Sequence, residues 1–224
     1  MTYPDRHGFE KNIGGCGWGM PNQGYFSPWG IENLPEGPKG EYLTDALTTA
    51  ATGLIRARDR SRPFFLNLCH YAVHVPLEAP EPLVEKYRRK AAALGLRDAD
   101  ALEAGEFFPV QHKRHERVVR RRFQSHAVYA AMIESLDTAV GRLLAVLAAE
   151  DLARDTLVVF TSDNGGLATA EGSPTCNAPL SEGKGWMYEG GNRVGQIVRW
   201  PGVVPAGSVS REPTTSPDWY PTLL

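Results

Sequence analysis

Residues 156–166 read TLVVFTSDNGG, an apolar, β-branched run that stops abruptly in polar residues and then two glycines. A continuous apolar stretch of this length between turn residues predicts a strand buried on both faces. Just upstream, AVYAAMIESLDTAVGRLLAVLAA (127–149) sets Met132, Leu136, Ala139, Leu143 and Leu147 at steps of four and three. Glu134, Asp137 and Arg142 fall off that stripe, so the segment predicts a helix with one core-facing side. Further upstream, PFFLNLCHYAVHVP (63–76) holds a second apolar run, Phe64 to Leu68, too brief for a helix. It reads as another buried strand, followed by a loop carrying His70, His74 and Pro76. Residues 41–58 carry helical spacing at Leu43, Leu47, Ala50, Ala51, Leu54 and Ile55, with Thr44 and Asp45 as candidate N-terminal caps. A helix followed by a buried strand, twice over, predicts an α/β fold with a mostly parallel sheet crossed by helices.

The flanking segments are less regular. Residues 1–40 are rich in glycine and proline around Trp18, Tyr25, Phe26 and Trp29, and keep neither helical nor strand periodicity. Their aromatics predict a packed loop region rather than a tail. Residues 80–122 read as ragged helix and end in HKRHERVVRRR (112–122), with six Lys and Arg in eleven positions. In a chain with acidic net charge, that run is a solvated face or an insertion more readily than a polyanion patch. His112 and His115 sit at helical i, i+3 spacing but lack a carboxylate partner at metal-ligand spacing. Gly195-Gln-Ile-Val-Arg-Trp predicts a last strand, and Pro217-Asp-Trp-Tyr-Pro opens another helix.

Composition bounds the function. Lys and Arg number 24 against 26 Asp and Glu, a formal net charge of −2, which excludes a general nucleic-acid or membrane-surface binder. No apolar run reaches the roughly 18 residues of a membrane-spanning helix. The first residues, MTYPDRHGFEKN, carry no apolar core of a signal peptide. Cys16, Cys69 and Cys176 form neither a disulfide framework nor a zinc-ribbon spacing.

Three motifs carry chemistry. In a parallel α/β sheet, ligands gather at the carboxyl ends of strands, where Asp163-Asn164-Gly165-Gly166 falls. Asp163 and Asn164 offer the hard oxygen ligands that Ca²⁺ or Mg²⁺ prefers, although D-N-G-G is also a turn sequence. In Gly183-Lys184-Gly185, a lysine flanked by glycines can reach an anion as a point charge; taken alone, it is equally an exposed loop lysine. His74, in Val73-His74-Val75-Pro76 beyond the first strand, can hold or move a proton near neutral pH, or can be structural. A serine-hydrolase elbow and a dinucleotide-binding glycine motif are both missing from the sequence.

Taken in order, GFEKNIGG, GEYLTDALT, PFFLNLCHYAVHVP, YAAMIESLDTAVGRLL, TLVVFTSDNGG, APLSEGKGWMYEGGNRV, IVRWPGVVPAGS and SPDWYPTLL strongly resemble the sulfatase family of the alkaline-phosphatase-like superfamily. The resemblance runs over nearly the whole chain. It implies a three-layer αβα sandwich with a mostly parallel sheet, here an incomplete catalytic domain. Residues 1–40 would be its loop region, 41–224 its α/β portion and 95–122 an insertion. It also implies a metal-dependent sulfuric ester hydrolase acting on a small-molecule or glycan sulfate ester. Asp163 and Asn164 match ligands of the family's divalent cation, usually Ca²⁺ with Mg²⁺ possible. Lys184 matches the sulfate-contacting lysine, and His74 the histidine beside the sulfate and leaving oxygen. Glu189 to Arg193 match E-G-G-x-R, an architectural motif, with Gly195 where a proline is usual.

One expected element is missing. The family's nucleophile is a formylglycine made from the cysteine of C-x-[PA]-x-R, and neither Cys16, Cys69 nor Cys176 stands in that setting. The aspartate pair of the first strand and the K-x-H motif are missing too. The resemblance therefore implies a fragment or truncated product that is inactive by itself, with periplasmic or secreted export compatible with the intact protein. A phosphate or phosphonate ester hydrolase of the same superfamily, or a non-catalytic remnant, are the alternatives.

Overall fold

In the computed structural model, residues 3–108 and 110–223 are described. The chain enters α1 (Leu43–Arg56) from an extended Tyr42 that makes no side-chain cap. Thr44 and Asp45 therefore lie inside the first turn and do not cap it. Tyr25 explains why a cap is dispensable: its carbonyl accepts the Leu43 amide at 2.8 Å, satisfying one of the donors a helix start leaves open. Asp45 instead receives Arg142 of the long helix at 3.0 Å. Next come α2 (Glu81–Ala93), β1 (Leu102–Phe107), β2 (Arg117–Arg121) and α3 (Ala127–Ala149). The last helix begins where His126 Nδ1 accepts the Tyr129 amide at 3.2 Å. The chain ends with β3 (Val158–Thr161), α4 (Glu189–Asn192), β4 (Gln196–Arg199) and α5 (Trp219–Leu223).

The main core is helical and aromatic. Tyr25, Trp29, Ile31 and Leu34 of the first loop region pack with Leu43 and Leu47 of α1, Val84 of α2, and Ala131 and Met132 of α3. Residues 21–34 thus form a packed loop around Tyr25 and Trp29, whereas most of residues 3–20 are exposed. A smaller cluster joins Ile55 of α1 to Val146 and Leu147 of α3, with Phe64, Leu66 and Val158 against it.

Two expectations about strands are corrected. First, β3 pairs with β4 antiparallel, and β1 pairs with β2 antiparallel; the described residues contain no parallel pair. Second, neither apolar run is buried on both faces. From Phe64 to Leu68 burial alternates, with Phe64, Leu66 and Leu68 turned to the helices while Phe65 and Asn67 are exposed, and this segment joins no ladder among the described residues. Phe160 of β3 is 43% exposed. The reason is one-sided cover: α1 and α3 lie over one face of these extended segments, and the other face meets solvent. Among the described residues, no helix is long and apolar enough to cross a membrane.

The segment 80–122 is helical only as far as α2. Gly95, at φ +66°, breaks it, and 102–121 form a hairpin of two strands. Val118 is buried between arginines that serve as partners rather than as a solvated helix face. Arg121 is buried, donating to Asp98 at 2.7 Å and to the Ser173 carbonyl at 2.6 Å. His112 and His115 are exposed, and His115 Nε2 accepts from Arg114 at 3.2 Å, so they do not act as a ligand pair.

Candidate active site

Lys184 and His74 meet. Lys184 Nζ lies 2.6 Å from His74 Nε2, across 110 positions of sequence. The other ring nitrogen of His74 is 3.2 Å from the Val75 carbonyl, which only an N–H can satisfy. The imidazole therefore carries its proton on Nδ1 and presents the Nε2 lone pair to the lysine ammonium.

Each partner is held by backbone. The Tyr25 hydroxyl donates to the carbonyls of Tyr71 at 2.7 Å and His74 at 3.0 Å, fixing the turn that carries the imidazole. Tyr25 is fully buried, and burial pushes its phenol far above the usual range, so it remains a donor. Tyr71 in turn donates to the Gly14 carbonyl at 2.9 Å, with Cys16 Sγ 3.1 Å from the same hydroxyl. The Lys184 amide donates to the Gly166 carbonyl at 3.0 Å, and the Gly165 amide to Gly191 at 2.8 Å. These bonds weave the D-N-G-G, G-K-G and E-G-G loops into one knot.

Glycine is obligatory in that knot because backbone meets backbone. A Cβ on Gly165 would stand 1.8 Å from the Gly190 carbonyl oxygen, and one on Gly190 would stand 2.2 Å from that of Ser181. Asn177 completes it, its amide reaching the carbonyls of Gly166, Glu182 and Gly190 at 2.9–3.1 Å.

Asp163 and Asn164 precede the glycine whose neighbour accepts the Lys184 amide. The Asn164 amide donates to Asp163 Oδ2 at 2.5 Å, which leaves the other carboxylate oxygen and the amide carbonyl as donors to a cation. Hard oxygen chemistry suits Ca²⁺ or Mg²⁺ in kind. It falls short in number: among the described residues no three His, Cys, Asp or Glu side chains are grouped to hold a metal ion. Ca²⁺ takes roughly six to eight oxygens, so these two alone would not complete a site.

His70, in the same loop as His74, is different. Both of its ring nitrogens are buried without a partner, and burial lowers its pKa to about 4.

The sulfatase family model matches residues 2–224. This chain belongs to the sulfatase family. It is 35% identical over 207 residues to a sulfatase of Formosa agariphila, covering 88% of this chain and 31% of that one. Over 185 residues it is 31% identical to mouse arylsulfatase J, covering 83% and 25%. Its structure is similar to that of Ps i-CgsB in complex with k-i-k-neocarrahexaose, with a TM-score of 0.66 at 27% identity over 98% of this chain and 46% of that one. The chain thus spans about a quarter to a half of the length of these three proteins.

Three features of the site escaped the sequence reading. Tyr25 looked like one more aromatic of a packed loop, and its role depends on a carbonyl 49 positions away. The glycines of D-N-G-G were legible as close-approach residues and E-G-G as an architectural motif, but not that the two approach one another. Glu182, between two small residues, gave no signal, yet its side chain is only 1% exposed.

Proposed function

We propose that this chain forms the part of a sulfate-ester hydrolase that grips the sulfate and its leaving oxygen. The observation that carries the reading is the 2.6 Å meeting of Lys184 and His74 beside the loop of Asp163 and Asn164. Sulfatase relatives over the length of the chain support it, and the name of arylsulfatase J points to sulfuric esters. Lys184 offers a positive charge to sulfate oxygens. His74, with its Nδ1–H donating to Val75, presents Nε2 to the Lys184 ammonium; a proton taken up at Nε2 from Lys184 would be donated by the imidazolium to the leaving oxygen as that oxygen gains charge. Asp163 and Asn164 hold a divalent cation, Ca²⁺ or Mg²⁺; when bound it adds positive charge against the anionic ester.

The reading includes an architecture. In the complete protein, Phe64–Leu68 and β3 belong to a mostly parallel sheet in a three-layer αβα sandwich, whose further strands cover their exposed faces. It also includes a limit: with no cysteine in the formylglycine motif, the 224-residue chain turns over no sulfate ester by itself. Purified chain should bind methyl sulfate and leave p-nitrophenyl sulfate uncleaved. Loss of methyl sulfate binding by at least tenfold in Lys184→Ala supports the grip. Unchanged binding in that variant overturns the grip, and robust hydrolysis by homogeneous chain overturns the limit.

A further inference from the structure

Among the described residues, four that are not glycine hold left-handed backbone: Asp151, Glu171, Ser173 and Glu182. Only Ser173 and Glu182 are buried. A side chain makes that conformation unfavourable, so it persists only where the surroundings impose it. Both buried residues precede Lys184, and both are tied to β2. The Ser173 carbonyl accepts Arg121 Nε at 2.6 Å, and its hydroxyl donates to the Val119 carbonyl at 2.6 Å. Glu182, at φ +58°, has a side chain only 1% exposed. One of its carboxylate oxygens lies 3.5 Å from Arg120, and the other is buried without a partner. Arg120 in turn donates to Glu103 of β1 at 2.8 Å, which anchors its guanidinium on the hairpin. Neighbouring residues of a strand point to opposite sides. Arg120 and Arg121 therefore grip two segments at once, the turn at Ser173 and the residue that leads into Gly183 and Lys184.

We infer that the 102–121 hairpin is a brace that aims Lys184 at His74, with Arg120 and Glu182 as positioning residues. Glycines on both sides of the lysine leave its own backbone free to wander, so the aim has to come from outside the G-K-G triplet. Glu182 supplies it from two directions. Its carbonyl accepts the Asn177 amide at 2.9 Å, within the glycine knot, while its carboxylate is drawn to the hairpin. A loop built for stability alone would place glycine or asparagine at φ +58° and would not bury an underpaired carboxylate. The left-handed glutamate fixes one backbone path into Lys184 and makes that path depend on Arg120. The inference rests on the proposed sulfate grip of Lys184 and adds the element that points it.

Three variants of the 224-residue chain test the brace: Glu182→Asn, Arg120→Gln and the two combined. Each is read by melting temperature, by methyl sulfate binding and by the nitrogen NMR signal of His74 Nε2. Asparagine tolerates left-handed backbone better than glutamate does and is too short to reach Arg120. Glu182→Asn should therefore melt no lower than the parent chain, yet bind methyl sulfate about fivefold more weakly. Its His74 signal should move toward that of Lys184→Ala. Arg120→Gln, at a half-exposed position, should weaken binding and move the signal in the same way. The double variant should bind no more weakly than the weaker single, because the two residues act as one unit. A merely structural pair would lower the melting temperature and leave binding and the His74 signal of the folded chain unchanged. That result overturns the brace, as do losses that multiply in the double variant. If Lys184→Ala leaves methyl sulfate binding unchanged, the sulfate grip falls, and the His74 signal alone decides the brace: moved in both single variants it stands, unmoved it falls.

Discussion

The molecule contrasts two ways of treating apolar side chains. Around α1, α2 and α3, Trp29, Tyr25, Leu43 and Met132 are sealed from solvent and interlock on every side. Around β3 and β4, comparable side chains are covered on one face only, and Ile197 is 63% exposed. Composition does not separate the regions, since both are apolar and β-branched or aromatic. Cover does. The helical region closes over itself within this chain, whereas the ribbon and the Phe64–Leu68 segment have helices on one side and exposed apolar side chains, Phe65, Phe160 and Ile197, elsewhere. A four-residue antiparallel pair with exposed apolar faces is a template for further pairing, and the same surface is an aggregation liability.

Substitutions should separate the regions sharply. Trp29→Ala, at 0% exposure, should lower stability by about 3–5 kcal/mol or unfold the chain, read by chemical denaturation. If it is tolerated within about 1 kcal/mol, the loop region is not the core it looks to be. Gly165→Ala comes next. Its methyl group has no room against Gly190, so about 3 kcal/mol of destabilisation, or a loosened knot with weakened methyl sulfate binding, is expected. An unchanged melt together with unchanged binding would show that the loops do not depend on backbone contact.

The next test uses acid. His70 has its pKa lowered to about 4 by burial, against about 6.5 in the unfolded chain. Between those values the unfolded state binds more protons, so stability present above pH 6.5 falls as pH drops toward 4 and levels off below. About 3 kcal/mol should go across that window, and His70→Gln should flatten the slope; a slope identical in both proteins removes His70 as its cause. The smallest effect belongs to the ribbon. Ile197→Ser should change stability by no more than about 0.5 kcal/mol while reducing self-association in sedimentation, because its side chain is mostly in water. A loss of several kcal/mol would mean that the ribbon is packed after all.

How much was legible follows the same division. The 127–149 helix was readable to its ends, because its stripe faces partners within the chain. The three chemical motifs were readable as motifs, and the fold brings the side chains of two of them, His74 and Lys184, to 2.6 Å. Of the two apolar runs read as buried strands, Val158–Thr161 pairs as a strand and Phe64–Leu68 joins no ladder among the described residues; neither burial nor direction was legible. A continuous apolar run does not say which face of a strand is covered, and among the described residues the cover comes from one side only. The 102–121 hairpin was missed because arginines dominated the reading. Val118 and Arg121 point inward while Val119 and Arg120 do not, and that interior arginine is tolerable only because Asp98, a residue of the preceding turn, neutralises it. A basic run does not announce such a partner.

Tyr25 carries a consequence for anyone who would transplant this chemistry. The imidazole of His74 hangs from a phenol rooted in the opening loops, not from the strand that leads to it. Moving the histidine turn and the lysine loop into a foreign scaffold would carry over the reactive groups and leave behind the peg that aims them. Exchanging the opening loops between relatives to alter selectivity would disturb the aim as well, unless a tyrosine at that position travels with the graft.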